Sequence, residues 1–134
     1  LGVAVLLHSC GRPRWDLTSR LSGIALSLDV TDLRPAADYD ALGAFLDGGG
    51  VLAAGLVPTS GPAKPLHAEP LAGQLAGLID RIGLPRAVLR DNVLVTPTCG
   101  LAGATPEWAA RALALSSEVA SGLAADPDFA PSDG

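Results

Sequence analysis

The chain repeats one pattern four times: a short apolar run that favours a β-strand, followed by a segment able to form a helix. None of the runs alternates apolar and polar residues cleanly, which is typical of strands buried on both faces of a parallel sheet. Because strands that alternate with helices indicate βα units, the sequence predicts an α/β fold with a parallel sheet. The predicted strands cover residues 3–7, 24–28, 51–56 and 93–95.

The helical segments differ in how strongly the sequence predicts them. The last segment has the strongest signals, since Thr105 can act as N-cap and Pro106 suits the first helical position. The two middle segments carry apolar residues at helical spacing and end at glycines, whereas the first segment is short and weak. The predicted helices cover residues 15–21, 39–47, 71–82 and 105–124.

The length of the chain sets the number of domains. Its 134 residues suffice for one hydrophobic core and are too few for two. We therefore expect one domain over residues 1–126 and a frayed, polar tail over residues 127–134. Since the chain contains no Met, we also expect it to be part of a longer gene product or to have been processed.

Charge and hydropathy exclude several classes of partner. The net charge is −5 and the nine basic residues are scattered, whereas a nucleic-acid surface needs clustered positive charge. No apolar run approaches the roughly 18–20 residues of a membrane span, and the N-terminal stretch lacks the basic region and cleavage site of a signal peptide. We expect a cytoplasmic protein that binds neither nucleic acid nor membrane.

Residues with metal-binding chemistry follow three of the predicted strands. His8 and Cys10 come at the end of the first strand, Asp29 follows the second, and Cys99 follows the fourth. Functional side chains of parallel α/β folds lie just past the carboxyl ends of strands. One imidazole, two thiolates and a carboxylate suit a tetrahedral zinc ion. Because the ligands come from separate strand ends, the pattern favours a catalytic zinc site over a compact structural one.

Each of these residues also has a purely structural interpretation. A single buried cysteine usually acts as a small hydrophobic residue, and the two cysteines could instead form a disulfide. His8 could be a hydrogen-bonded core residue, and Asp29 could cap the helix that follows it. Arg12 and Arg14 could meet an anionic substrate or could be solvated loop charges. The joint placement of the four potential metal ligands favours the zinc site.

The same residues carry a resemblance to a known family. The run His8-Ser9-Cys10, the acid Asp29 and the Thr-Pro-Thr-Cys-Gly-Leu stretch at residues 96–101 resemble the catalytic barrel of cobalamin-independent methionine synthase. The resemblance implies that the chain is the C-terminal half, four βα units, of a TIM (βα)8 barrel. It also implies a zinc ion held by His8, Cys10, Cys99 and an acid. The family generally has Glu where Asp29 stands, and Asp32 is the other candidate for that ligand.

The resemblance implies zinc-dependent methyl transfer to the thiol of homocysteine, which forms methionine, or to another small thiol. The methyl donor implied is methyltetrahydrofolate or a related compound. Zn²⁺ together with two thiolates, an imidazole and a carboxylate has a net charge of about −1. This negative charge keeps a bound sulfur nucleophilic. Two alternatives stay open: a zinc thiol methyltransferase with a corrinoid or other donor, and a non-catalytic domain with a structural zinc. As half of a barrel, the chain is expected to be an incomplete enzyme that pairs with the missing N-terminal half or with a second copy.

Overall fold

A computed structural model of the protein describes residues 2–129. They form a four-stranded parallel sheet whose strands alternate with helices. The strands are β1 (Val5–Ser9), β2 (Ile24–Asp29), β3 (Leu52–Val57) and β4 (Val93–Pro97). The helices are α1 (Trp15–Thr18), α2 (Pro35–Asp47), α3 (Ala68–Ile82), α4 (Val88–Asp91) and α5 (Pro106–Ala125), and a 3₁₀ turn (Val30–Asp32) follows β2.

The order of the strands identifies the architecture. The sheet runs β1-β2-β3-β4 with every pair parallel, so each strand lies beside the one before it. A doubly wound fold reverses its strand order at a switch point, whereas a (βα)8 barrel keeps sequential order. The structure therefore confirms the predicted α/β class and has the arrangement of half a TIM barrel.

The hydrophobic core lies between one face of the sheet and the long helices. Leu26, Leu52 and Ala54 of the strands are fully buried there against Leu42 of α2 and Leu75 of α3, with Leu115 and Val119 of α5 in the same cluster. The core is built from aliphatic side chains, as expected of a chain with 4% aromatic residues. Truncating one of these leucines to alanine costs about 2–5 kcal/mol.

The other face of the sheet carries the chemistry-bearing residues. Since side chains alternate along a strand, the residues between the core positions point away from the helices. On this face the two middle strands carry mainly small residues. The two edge strands carry leucines that are open to solvent: Leu6 of β1 is 53% exposed and Leu94 of β4 is 55% exposed. One row across this face is His8, Ser27, Ala53 and Leu94, and the next row is Asp29, Gly55 and Thr96.

Several elements differ from their sequence-based predictions. Helix α1 ends at Thr18 rather than residue 21, α3 begins at Ala68 rather than residue 71, and α4 was not predicted. Helix α2 begins at Pro35, four residues before the predicted residue 39. Pro35 occupies the first helical position, and the Asp38 carboxylate accepts a hydrogen bond of 2.7 Å from the Arg34 N–H at the N-cap. Strand β1 is not buried on both faces: Val5, Leu6 and Leu7 are all exposed. That prediction was wrong because β1 is an edge strand, followed only by the four-residue helix α1.

The end of the chain is tied to the core as far as the structure describes it. Arg86 Nη1 donates to the carbonyl oxygens of Pro127 and Phe129 at 3.1 and 2.9 Å, and Phe129 packs against the core. Residues 130–134 of the predicted tail lie outside the described residues. Within residues 2–129, no helix combines the length and the apolarity needed to cross a bilayer.

Candidate metal centre

Three of the predicted ligands converge at the carboxyl ends of the two outer strands. Cys99 Sγ lies 3.8 Å from Cys10 Sγ and 3.8 Å from His8 Nε2. The three donor atoms all lie within 4.8 Å of one another, and all three residues are exposed. The two cysteines are free thiols rather than a disulfide. The structure thus forms an accessible cluster of one imidazole nitrogen and two sulfurs.

The spacing of these atoms fits a tetrahedral zinc ion. With Zn–S bonds of about 2.3 Å and a Zn–N bond of about 2.0–2.1 Å, tetrahedral angles place two sulfurs about 3.8 Å apart and a sulfur and a nitrogen about 3.6 Å apart. The observed 3.8 Å separations match both within a few tenths of an ångström. Thiolate and imidazole are also the donors that zinc prefers. Because all three residues are exposed, the cluster leaves space for a further ligand around such an ion.

A buried serine orients the imidazole of His8. Ser27 lies opposite His8 in the β1–β2 register, and its Oγ is 2.8 Å from His8 Nδ1. This contact leaves Nε2 facing the sulfur of Cys99. For Nε2 to bind a metal ion, Nδ1 must carry the proton, which it then donates to Ser27 Oγ. Sequence reasoning missed Ser27, although a lone polar residue within the apolar stretch at residues 24–28 is a visible signal.

The thiol pair favours a bound cation electrostatically. The hydrogen bond with Cys99 raises the pKa of Cys10, and the negative charge of a Cys99 thiolate raises it further. The pair therefore resists ionising at both sulfurs without a positive charge nearby. A bound metal ion reverses this preference, because coordination deprotonates a thiol outright.

The structure gives Asp29 a capping contact. Its Oδ1 accepts hydrogen bonds from the N–H and the Oγ1 of Thr31, at 2.9 and 2.5 Å, and caps the 3₁₀ turn. Among the described residues, the group of three donors includes neither Asp29 nor Asp32. The structure therefore brings together His8, Cys10 and Cys99 and leaves the carboxylate ligand as a prediction.

The two arginines after β1 are held in ion pairs. Arg12 Nη2 lies 3.1 Å from Asp38 Oδ2, and Trp15 Nε1 donates to Asp38 Oδ1 at 2.9 Å. Arg14 pairs with the exposed Asp16 at 2.9 Å. Burial alone raises the pKa of Asp38, which is 1% exposed, but the bonds from Arg34 N–H and Trp15 and the charge of Arg12 outweigh it and leave the pKa below its ordinary value. Asp38 thus fastens the loop that follows Cys10 to helix α2.

A family model described as the catalytic domain of the cobalamin-independent synthase matches residues 1–122. The matched range includes all four predicted ligands, His8, Cys10, Asp29 and Cys99. No curated protein and no solved structure matches the chain significantly.

Proposed function

The chain belongs to the family of the cobalamin-independent synthase catalytic domain, and from this membership we propose that it takes part in methyl transfer to the thiol of homocysteine, which forms methionine. The observation that supports this proposal is the cluster of His8, Cys10 and Cys99, whose donor atoms lie within 4.8 Å of one another. Their exposure leaves room for the sulfur of a small substrate to join the same cluster.

We propose that His8 Nε2 and the sulfurs of Cys10 and Cys99 hold a zinc ion, with Asp29 as the fourth protein ligand before substrate arrives. When bound, zinc lowers the pKa of a coordinated substrate thiol, so that the thiolate is present at neutral pH. Ser27 Oγ, 2.8 Å from His8 Nδ1, can accept the Nδ1 proton when Nε2 binds the ion. The negative charges of the two cysteine sulfurs keep the site electron-rich, which favours a nucleophilic sulfur over an acidic water.

The remaining substrate contacts are proposed to come from the first half of the barrel. Homocysteine carries amino and carboxylate groups, and a methyltetrahydrofolate-type donor is large, so both need more surface than four βα units offer. A corrinoid donor is the alternative for the methyl group. A reducing compartment such as the cytoplasm would keep both cysteines as thiols.

The proposal is tested by loading the reduced chain with Co²⁺ and following the sulfur-to-cobalt absorption. We expect one Co²⁺ per chain, and we expect homocysteine to change the spectrum while methionine, which has no thiol, leaves it unchanged. Cys10→Ser and Cys99→Ser should each weaken metal binding. A metal site whose spectrum ignores homocysteine would identify a structural zinc, and a chain that binds no metal would refute the site.

The methyl donor needs a separate assay, because it depends on the missing half of the barrel. The zinc-loaded chain is mixed with a separately produced first half of a family barrel, and methionine formation is measured with methyltetrahydrofolate or with methylcobalamin. We expect methionine from the folate donor. Product from methylcobalamin alone would assign the corrinoid alternative.

A further inference from the structure

Cys99 follows strand β4 but contacts Cys10, which follows strand β1. Strands β1 and β4 are the two edges of the sheet, separated by β2 and β3. With strands about 4.8 Å apart, three spacings amount to about 14 Å along the sheet. Nevertheless, Cys99 Sγ lies 3.8 Å from both His8 Nε2 and Cys10 Sγ. The chain that follows β4 must therefore lean across the face of the sheet that points away from the helices, which we call the inner face.

The lean begins at an irregularity between β3 and β4. Gly55 pairs with Thr96, but Val57 pairs with Pro97, so the register shifts by one residue between them. The Thr98 N–H then donates to the Val57 carbonyl oxygen at 2.9 Å, which keeps the residues after β4 beside β3. The extra residue, Leu56, lies in β3, and such an irregularity disrupts the local pairing and redirects the side chains beside it.

Gly55 lies directly beneath the segment at residues 97–99. A Cβ atom placed on Gly55 would lie 3.0 Å from the Thr98 Cα and 2.7 Å from the Leu28 carbonyl oxygen. Both are backbone atoms, so neither can move aside as a flexible side chain would. Gly55 does not have a positive φ, so it is the space, and not a left-handed backbone, that requires glycine here.

We propose that Gly55 is a positioning residue for the metal centre. Its missing side chain lets the segment at residues 97–99 approach β3, and this approach sets the distance from Cys99 to His8 and Cys10. A methyl group at residue 55 would displace the Thr98 Cα and move the Cys99 sulfur away from its partners. The role of Gly55 in metal binding rests on the proposed metal site. The proximity of the Cys10 and Cys99 thiols, however, can be measured without any metal.

The first test measures the proximity of the two thiols directly. The chain has only two cysteines, so dibromobimane, which becomes fluorescent when both arms have reacted, yields a single intramolecular product in metal-free protein. We expect rapid cross-linking in the wild type. Since the second step depends on the separation of the two groups, we expect Gly55→Ala to cross-link about tenfold more slowly. The same variant should bind Co²⁺ about 10- to 100-fold more weakly.

Two other glycines provide matched controls. Gly43→Ala introduces a contact as close as the one with Thr98, 3.0 Å to Ile82 Cγ2, but with a side-chain atom and between helices α2 and α3. Gly122→Ala adds a methyl group to α5 where no atom lies within 4 Å. We expect both variants to cross-link at the wild-type rate, which would separate displacement of Cys99 from a general loss of stability.

Gly55→Ala and Gly43→Ala are also made in the Gly122→Ala background. Alanine is more favourable than glycine in a helix interior, so this change offsets part of any destabilisation. Folding is checked by circular dichroism and thermal melting. Wild-type cross-linking by a folded Gly55→Ala would overturn the proposal. So would failure of that variant to fold where Gly43→Ala folds, since Gly55 would then serve the whole sheet. Wild-type chain that cross-links but binds no metal would refute the proposed function and leave the positioning intact.

Discussion

The imidazole of His8 in the candidate metal centre is held by Ser27, which is not itself one of the three donor residues. Ser27 Oγ is 2.8 Å from His8 Nδ1, and Ser27 is 7% exposed. Partners of this kind typically change metal affinity 10- to 100-fold. We expect Ser27→Ala to lower Zn²⁺ affinity about tenfold and Ser27→Thr, which keeps the hydroxyl, to retain more of it.

The affinity is measured by competition with a chromophoric chelator. Ser116→Ala is the control, because Ser116 is similarly buried at 6% exposure but donates to the Ala112 carbonyl oxygen within α5. Equal zinc affinities for Ser27→Ala and Ser116→Ala would show that the serine does not orient the imidazole.

Asp29 can be tested separately as a cap and as a ligand. Asparagine caps a turn about as well as aspartate but lacks the charge of a zinc ligand. If Asp29 binds zinc, Asp29→Asn should lower zinc affinity with little change in melting temperature, and Asp29→Ala should lower both. Asp29→Glu should keep or raise the affinity, because Glu is the usual residue in the family. Wild-type zinc affinity in Asp29→Ala would restrict the residue to capping.

At the scale of elements, a buried carboxylate joins the loop after β1 to helix α2. Asp38 receives bonds from Arg12, Trp15 and the Arg34 N–H, and its pKa is lowered despite its burial. Between the folded pKa and the unfolded value of about 3.9, the unfolded chain binds more protons. This contribution to stability is therefore complete above about pH 4–5 and is lost as the pH falls through the folded pKa.

Urea unfolding at several pH values tests this dependence. Asp38→Asn should cost about 1–3 kcal/mol at neutral pH and should lose less further stability than the wild type on acidification. The comparison is a difference between two proteins because Asp16, Asp80 and Asp91 also have lowered pKa values, each beside an arginine. Parallel pH profiles for the two proteins would contradict this role for Asp38.

The sequence predicts features that depend on neighbouring residues better than features that depend on how the strands are paired. Helix α5 was predicted by Thr105 and Pro106, and the structure has Thr105 as N-cap, with its Oγ1 accepting from the Trp108 N–H at 3.2 Å. The start of α2 at Pro35 was missed, although proline is typical of the first helical position. The H-x-C pair and Cys99 were recognisable as donors, but Ser27 and Gly55 depend on cross-strand register, which residue types alone do not specify.

At the scale of the whole molecule, the sheet has two open edges. Within residues 2–129, β1 pairs only with β2 and β4 only with β3. The outer sides of both strands therefore present backbone donors and acceptors without strand partners, which promotes association with another strand. The inner face also exposes Leu6 and Leu94, which a closed barrel would cover. We infer that the chain pairs with the other half of a barrel or with a second copy.

The association should depend on Leu94 and not on exposed leucines in general. Leu94 on β4 is 55% exposed and Leu113 on α5 is 57% exposed, so lysine at either residue adds the same charge at similar cost to folding. Lysine at residue 94 places a charge on the inner face at the open edge, a device that discourages strand pairing. We expect light scattering to show concentration-dependent association for the wild type and for Leu113→Lys, and a shift toward monomer for Leu94→Lys. A monodisperse wild-type monomer that melts cooperatively would mean that four βα units are stable alone, and the need for a partner would then be refuted.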